Sequence, residues 1–305
     1  MKSSIVIVGS SNTDMVIKTS HLPALGETVL GGTFFMNAGG KGANQAVAAA
    51  RLGGNVVFIA KTGDDIFGTQ AGELFQSEGI DTSCIVTDHR HPSGVALITV
   101  DAHGENCIVV APGANAALTA NDLKHALPKL DDASIILMQL EIPVDTVSYV
   151  AAIAAERKIQ LVLNPAPACK LPDQLLRHVS VITPNQKEAE MLTGVRVTNI
   201  ATAEQAATFL NAKGIATVVI TMGNQGALLL HQGNCKMIPA PKVHAVDTTA
   251  AGDIFNGALV VALSENKSIE DAVKFACKAA AISVTRLGAQ ASAPYRNEVM
   301  QTTIR

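Results

Sequence analysis

The chain has no tryptophan, and aromatic residues make up 3% of its 305 positions. Stacking platforms of the kind that grip single-stranded nucleic acid are therefore scarce. Charge is sparse as well: 16% of residues are charged and the formal net charge is −3, without the basic excess that nucleic-acid binding calls for. Five cysteines, Cys84, Cys107, Cys169, Cys235 and Cys277, are scattered, odd in number and never spaced as Cys-x-x-Cys. They read as buried thiols of a reducing compartment, neither disulfide pairs nor zinc ligands. No apolar run reaches the roughly 18 residues of a membrane span. No signal-like apolar region follows Met1-Lys2-Ser3-Ser4-Ile5, so the expected location is the cytoplasm. Neither a nucleic acid nor a membrane is expected as a partner.

What is present is apolar content, 48% of the chain, and enough length for one large α/β domain. Short β-branched runs at 4–8, 56–60, 135–140, 160–163, 179–183 and 217–221 are apolar on both faces, as buried parallel strands are. Helical patterns lie between them at about 43–52, 65–78, 119–130, 144–157, 186–193 and 202–213. This alternation predicts a doubly wound, mostly parallel sheet flanked by helices. Residues 14–38 and 93–111 break it, reading as strands without intervening helices. They are expected to pair into a small β-sheet lid on a single domain spanning 1–305, with an exposed face suited to self-association as a homodimer. The tail from about 250 to 286 reads as two long Ala-rich helices.

Several familiar sites are excluded. Gly39-Gly40-Lys41-Gly42 lacks the Ser/Thr that must follow the lysine of a Walker A loop. The first strand leads into Gly9-Ser10-Ser11-Asn12, which is not the Gly-x-Gly-x-x-Gly of a dinucleotide site. The eight histidines form no His-Glu-x-x-His; His89 and His91 flank Arg90 in a polar stretch that reads as a solvated loop. No Gly-x-Ser-x-Gly elbow occurs.

The most informative segment is Asp247-Thr-Thr-Ala-Ala-Gly-Asp-Ile-Phe-Asn-Gly-Ala258. Small residues lead to Gly252 and Asp253, and a helical pattern opens there. The first N–H groups of such a helix point outward and favour phosphate or developing negative charge. A carboxylate facing that hole suits a base that activates a hydroxyl for phosphoryl transfer. Taken alone, a Gly-Asp at a helix start is more commonly a cap. A second glycine-rich turn, Ala38-Gly-Gly-Lys-Gly-Ala-Asn-Gln45, runs into another helix and presents the two-headed amide of Asn44. Asn12 and Asp14 follow the first strand, and Glu141 ends another, at the edge where open α/β sheets bind ligands. With Asn44 they suit a vicinal-diol ligand, although each alone reads as a turn or capping residue. Thr183-Pro-Asn-Gln-Lys-Glu188 starts a helix with Asn185 and Glu188 one turn apart, either as a capping pair or as holders of phosphate-bound water and a divalent cation. Thr221-Met-Gly-Asn-Gln-Gly226 is a strand-end turn suited to wrapping a nucleotide tail.

Together these residues resemble the ribokinase/PfkB carbohydrate-kinase family along essentially the whole chain. Both signatures of the family are recognisable, at Ala38–Gly53 and at Asp247–Ala258, with Asn12-Thr13-Asp14, Gln139-Leu140-Glu141, Asn164-Pro165-Ala166-Pro167 and Thr183-Pro184-Asn185 in order between and around them. The resemblance implies an α/β kinase that uses ATP to phosphorylate the 5-hydroxyl of D-ribose, giving D-ribose 5-phosphate. It makes Asp253 the base and the amides of Ala250, Ala251 and Gly252 the anion hole. Asn12, Thr13, Asp14, Gly40, Lys41, Gly42, Ala43, Asn44 and Glu141 would contact the sugar. Asn185, Thr221, Met222, Gly223, Asn224, Gln225, Gly226 and Cys277 would contact ATP, with Gly252 and Asp253 at its reacting end. Asn185 and Glu188 would influence Mg²⁺ through water. A K⁺ loop maps onto Asp247, Thr249, Ser283, Arg286, Gly288 and Ser292. One departure stands out: Cys277 occupies a place where members often carry a histidine beside adenine. The alternatives are a kinase for another sugar or nucleoside (2-deoxyribose, fructose, adenosine) or a catalytically silent sugar sensor.

Overall fold

The computed structural model describes residues 4–302. Its first third runs β1 (Ser4–Val8), β2 (Asn12–Lys18), β3 (Thr33–Gly39), α1 (Lys41–Arg51), β4 (Asn55–Gly63), α2 (Ile66–Ser77) and β5 (Asp81–Asp88). Next come β6 (Gly94–Val100), β7 (Asn106–Ala111), α3 (Leu127–Asp131), β8 (Ala133–Met138), α4 (Val144–Glu156), β9 (Gln160–Leu163) and α5 (Asp173–Leu176). The last third holds β10 (Val181–Ile182), α6 (Gln186–Thr193), α7 (Ile200–Ala212), β11 (Thr217–Thr221), β12 (Ala227–His231), β13 (Asn234–Ile238), α8 (Ala251–Ser264), α9 (Ile269–Ser283) and α10 (Arg296–Gln301).

A nine-stranded sheet has the order β13-β12-β11-β10-β9-β8-β1-β4-β5. Pairing is parallel from β11 through β5, and β12 and β13 add an antiparallel hairpin at one edge. Strand alternation splits the core in two. Ile5 and Ile7 of β1 pack with Ala46, Val47, Leu259 and Ala276 from α1, α8 and α9. Val6 and Val8 face the other way, toward Val147 and Val150 of α4 and the Ala-rich α7. The doubly wound reading of the sequence is thereby borne out, down to identical bounds for β1, β9 and β11.

The two helix-free regions form a separate four-stranded sheet, ordered β3-β2-β6-β7. Register sets its faces: Asn12 pairs with Gly39 and Asp14 with Asn37, so these polar residues share one face. Ile17, Phe34, Met36, Leu97 and Val109 lie on the opposite face and are all exposed.

Three expectations need correction. The helix expected over 119–130 is mostly turns, with regular helix confined to Leu127–Asp131. Asp122 Oδ2 accepts from both the backbone N and the Oγ1 of Thr119, at 2.8 and 2.7 Å, and binds Lys61. Side-chain capture of the backbone stabilises a turn in place of the helical ladder, and Pro128 fits only the first turn of the helix that follows. The strand expected to carry Glu141 stops at Met138, because Leu140 N turns away to the carbonyl of Ala166. The cysteines are free as expected, but Cys107 and Cys235 are exposed, since both lie on edge strands.

Candidate active site

The helix α8 begins with a left-handed residue: Ala250 has φ 57° and no side chain caps the helix. The first intrahelical bond runs from Ile254 N to the carbonyl of Ala250, so the N–H groups of Gly252 and Asp253 precede the ladder. Asp253 is the third helical residue and is only 6% exposed. It is not a cap. Its Oδ2 accepts from Asn44 Nδ2 at 3.0 Å and its Oδ1 from Gln45 Nε2 at 2.9 Å. Burial raises its pKa, while the nearby Lys41 ammonium and the two amides oppose the rise and Glu141 adds to it. A buried carboxyl so placed can take up a proton more readily than one in water.

Close packing of α1 against α8 makes this meeting possible. A Cβ on Gly257 would come within 2.8 Å of the Gln45 carbonyl and of Ala48 Cβ. Gly42 is just as tightly held, since a Cβ there would lie 2.5 Å from Ser10 N. Gly40 turns the chain into α1 with φ 88°. The backbone of residues 9–12 therefore runs directly beneath the start of α1.

The diol-binding candidates collect around this turn. Asn12 is buried and its Oδ1 accepts from Asn115 Nδ2 at 2.8 Å. The Asp14 side chain reaches diagonally over Gly39, where a Cβ would overlap its carboxylate at 2.3 Å, so the glycine makes room for it. Burial raises the Asp14 pKa to about 6, helped by the charges of Glu141 and Asp253. Glu141 Oε2 accepts from Ser10 Oγ at 2.5 Å and Lys41 N at 3.0 Å. The Lys41 side chain is desolvated, yet Asp253, Glu141 and Glu188 hold its pKa above the ordinary value. Thr13 and Ala43 sit between these residues; Thr13 points to the other face of β2, lining a second cavity of about 220 Å³ with Met36, Phe67 and Gln290.

A cavity of about 180 Å³ opens in front of Asp253. Lys41, Asn185, Glu188, Thr221 and the start of α8 from Ala250 to Gly252 line it. Asn185 and Glu188 form the capping box of α6 and also stand in this wall. Asn185 Oδ1 accepts from Glu188 N at 2.9 Å, and Glu188 Oε2 accepts from Asn185 N at 2.8 Å. Burial raises the Glu188 pKa. Among the described residues no group of three or more His, Cys, Asp or Glu is placed to hold a metal ion by itself. A divalent ion would therefore depend on water and ligand phosphates beside a single carboxylate such as Glu188.

Of the nucleotide candidates, Thr221 lines the cavity, Met222 is buried in the core, and Gly223, Asn224 and Gln225 are exposed beyond it. Gly226 takes φ 107° against the Ile238 carbonyl and closes this turn. Cys277 is 5% exposed in the apolar core, burial raises its thiol pKa to about 12, and it lines neither cavity.

The candidate cation loop is assembled by Asp247. Its Oδ1 accepts from Thr249 N and its Oδ2 from Gly288 N, both at 2.9 Å. The backbone of Val246 and Asp247 also bonds the Val284 carbonyl. Ser283 and Ser292 are buried, their hydroxyls donating to the carbonyls of Ala280 and Ala289. Arg286 turns away to pair with Glu298. An oxygen-only set of this kind fits a hard cation, and the Arg286 side chain is not part of it.

Sequence reasoning missed a layer of buried amides behind Asp253. Gln45 and Gln139 are fully buried, and Asn164, Thr183 and Asn256 join them in one hydrogen-bonded network. Their signal in sequence was slight: Gln45 adjoins Asn44, and Asn256 lies one turn beyond Asp253.

The chain matches the family of pfkB carbohydrate kinases over residues 2–296, and it belongs to that family. Within the family, it is 44% identical to the ribokinase of Haemophilus influenzae over 99% of this chain and 98% of that one. The crystal structure of Arabidopsis thaliana ribokinase complexed with ribose and ATP superposes with a TM-score of 0.91, at 31% identity and covering 99% and 98% of the two chains. A deoxyribokinase of Salmonella typhi is 37% identical over 95% of each chain.

Proposed function

We propose that the protein is an ATP-dependent kinase that phosphorylates D-ribose at its 5-hydroxyl, releasing D-ribose 5-phosphate and ADP. The observation that carries this reading is Asp253: a buried carboxylate, held by two amides, beside the free N–H groups that open α8. In this reading Asn12, Asp14, Asn44 and Glu141 hold the sugar hydroxyls, and Lys41 spans the sugar and phosphate sides of the site. Asp253 removes the proton of the primary hydroxyl as its oxygen attacks the γ-phosphorus. The bond from that phosphorus to the ADP oxygen breaks, and the amides of Gly252 and Asp253 stabilise the charge on the transferring group, the Ala251 N–H being engaged with the Thr248 carbonyl. ATP lies along Asn185, Thr221 and the 223–226 turn. Mg²⁺ near Glu188 would neutralise phosphate charge, and K⁺ in the Asp247 loop would steady the turn that carries those amides.

The lid formed by 14–38 and 93–111 closes over the sugar in this reading, and its apolar outer face joins two copies. Exposed Phe34, Leu97 and Val109 support that homodimer, since an apolar sheet face of this kind is costly to leave in water. Five free thiols support a cytoplasmic location.

The decisive experiment measures ADP release with ATP and a panel of D-ribose, 2-deoxyribose, fructose and adenosine. Preference for D-ribose is expected. Preference for 2-deoxyribose would align the chain with its deoxyribokinase relative. Sugar binding without ADP release would make it a sensor.

A further inference from the structure

We infer that Gln45 and Gln139 are positioning residues for Asp253, forming a one-way chain of side-chain amides that fixes its carboxylate at the cavity. The inference rests on Asp253 being the base. Gln139 Nε2 donates to Gln45 Oε1 at 2.5 Å. Gln45 Nε2 then donates to Asp253 Oδ1 at 2.9 Å and to Asn164 Oδ1 at 3.1 Å, and Asn164 is itself tied to the Thr183 carbonyl at 3.1 Å. Both glutamines are 0% exposed, so neither can touch substrate.

The direction of the chain follows from the charge at its end. An ionised carboxylate only accepts hydrogen bonds, so Gln45 must present nitrogen to it and oxygen away from it. Gln139 must in turn present nitrogen to that oxygen. The cost of this order is visible at the far end, where Gln139 Oε1 has no partner and is packed against Gly9; a Cβ there would come within 2.1 Å of it. Turning the Gln139 amide over would set two oxygens against each other at the Gln45 contact. Asn44 holds the other carboxylate oxygen, and its own Oδ1 lacks a protein partner, leaving an acceptor for a ligand. Asn44 is thus shared with the site, whereas the fully buried Gln45 reaches it only through Asp253 and Asn164. The remaining charges facing Asp253 are Lys41 at the start of α1, Glu141 beyond β8, Asp14 on β2 and Glu188 on α6. None of them is altered by changing Gln45 or Gln139.

Three variants test the chain. Gln45→Met keeps the length and removes both donors, Gln45→Glu keeps the shape and sets a second carboxyl against Asp253, and Gln139→Met removes only the far link. Gln45→Met should lower kcat for D-ribose about 10- to 100-fold near neutral pH, the factor for losing a hydrogen bond to a charged group. KM for ribose and for ATP should stay within about twofold, because no substrate contact is lost. The acid limb of the kcat–pH profile should move up by on the order of one pH unit. Gln45→Glu should move it further through like-charge coupling, and Gln139→Met less. A merely structural role would lower activity equally at every pH, and that result would overturn the inference. A second readout needs no substrate: the carboxyl ¹³C resonance of Asp253, assigned with Asp253→Asn, should titrate higher in the Gln45 variants. An unchanged titration overturns the chain whatever the enzyme does. A shifted titration in a protein that phosphorylates no sugar would uphold the chain and sink the proposed function. Should Gln45→Met fail to fold, Gln45→Glu and Gln139→Met carry the same two readouts.

Discussion

Asn44 donates its side-chain amide to the carboxylate of Asp253 at 3.0 Å, joining the first turns of α1 and α8 across 209 residues of sequence. Two glycine-rich signatures that look unrelated along the chain are, in space, the two walls of one site. The first N–H groups of α1 are taken up inside the protein, by Glu141 Oε2, Ser10 Oγ and the Ser10 carbonyl, so it is the start of α8 that keeps N–H groups for an anion.

Replacing Asp253 should separate binding from turnover. Asp253→Asn keeps the shape and can still hydrogen-bond, but it cannot take the proton. A fall in kcat on the order of 10²–10⁴ is expected, the range for a general base, with sugar affinity largely retained. Retention of a tenth of the wild-type rate would show that Asp253 is structural.

Potassium should activate the enzyme, and sodium less well. Asp247 links the turn before α8 to Gly288, so a cation bound there would stiffen the backbone that carries Gly252. Rates measured in K⁺, Na⁺ and tetramethylammonium decide the matter, and equality among the three would remove the idea.

Asp14 should govern the choice between ribose and 2-deoxyribose. A desolvated carboxylate that faces a missing hydroxyl is left unpaired, at a cost of about 1–3 kcal/mol or more. Asp14→Ala should lower kcat/KM for ribose far more than for deoxyribose. An unchanged ratio between the two sugars would assign discrimination to another residue.

The same residue predicts a pH effect on stability. Burial raises the Asp14 pKa from 3.8 to about 6 in the folded protein. The folded state thus holds this proton more tightly than the unfolded chain, so folding loses stability as pH rises from about 4 through 6. Asp14→Asn should match the wild type near pH 4 and exceed its Tm by a few degrees, roughly, at pH 7.5 without ligands. Equal melting curves at pH 7.5 would contradict the raised value.

Gly257→Ala tests the contact between the two helices. Its new Cβ would meet the Gln45 carbonyl and Ala48 at 2.8 Å. Overpacking of this kind costs about 1–3 kcal/mol and pushes α8 away from α1. Both Tm and kcat should fall, and an unaffected kcat would mean that Asp253 tolerates the displacement.

Much of the architecture was legible in sequence because its signals are local. Apolar runs and helical periods alternate along the chain, and the small second sheet showed itself as strands without helices. The elements that were missed lack such a signal. Strand β5 is an edge strand with a mixed burial pattern, the β12–β13 hairpin follows a parallel strand without a helix, and the 119–130 pattern yields to Asp122 and Pro128.

By itself the sequence determined the class of site: glycine-rich helix starts, carboxylates at strand ends and small residues where helices pack closely. These follow from backbone geometry that only certain residues permit. Only the tertiary structure decided that Asp253 is held by amides and does not cap its helix, and that Asn185 and Glu188 both cap α6 and line the cavity. It alone revealed Gln45 and Gln139 behind Asp253. A buried amide has no local preference that marks it in sequence. Its role depends on which donor and acceptor the fold sets within about 3 Å of it, and that is a property of packing.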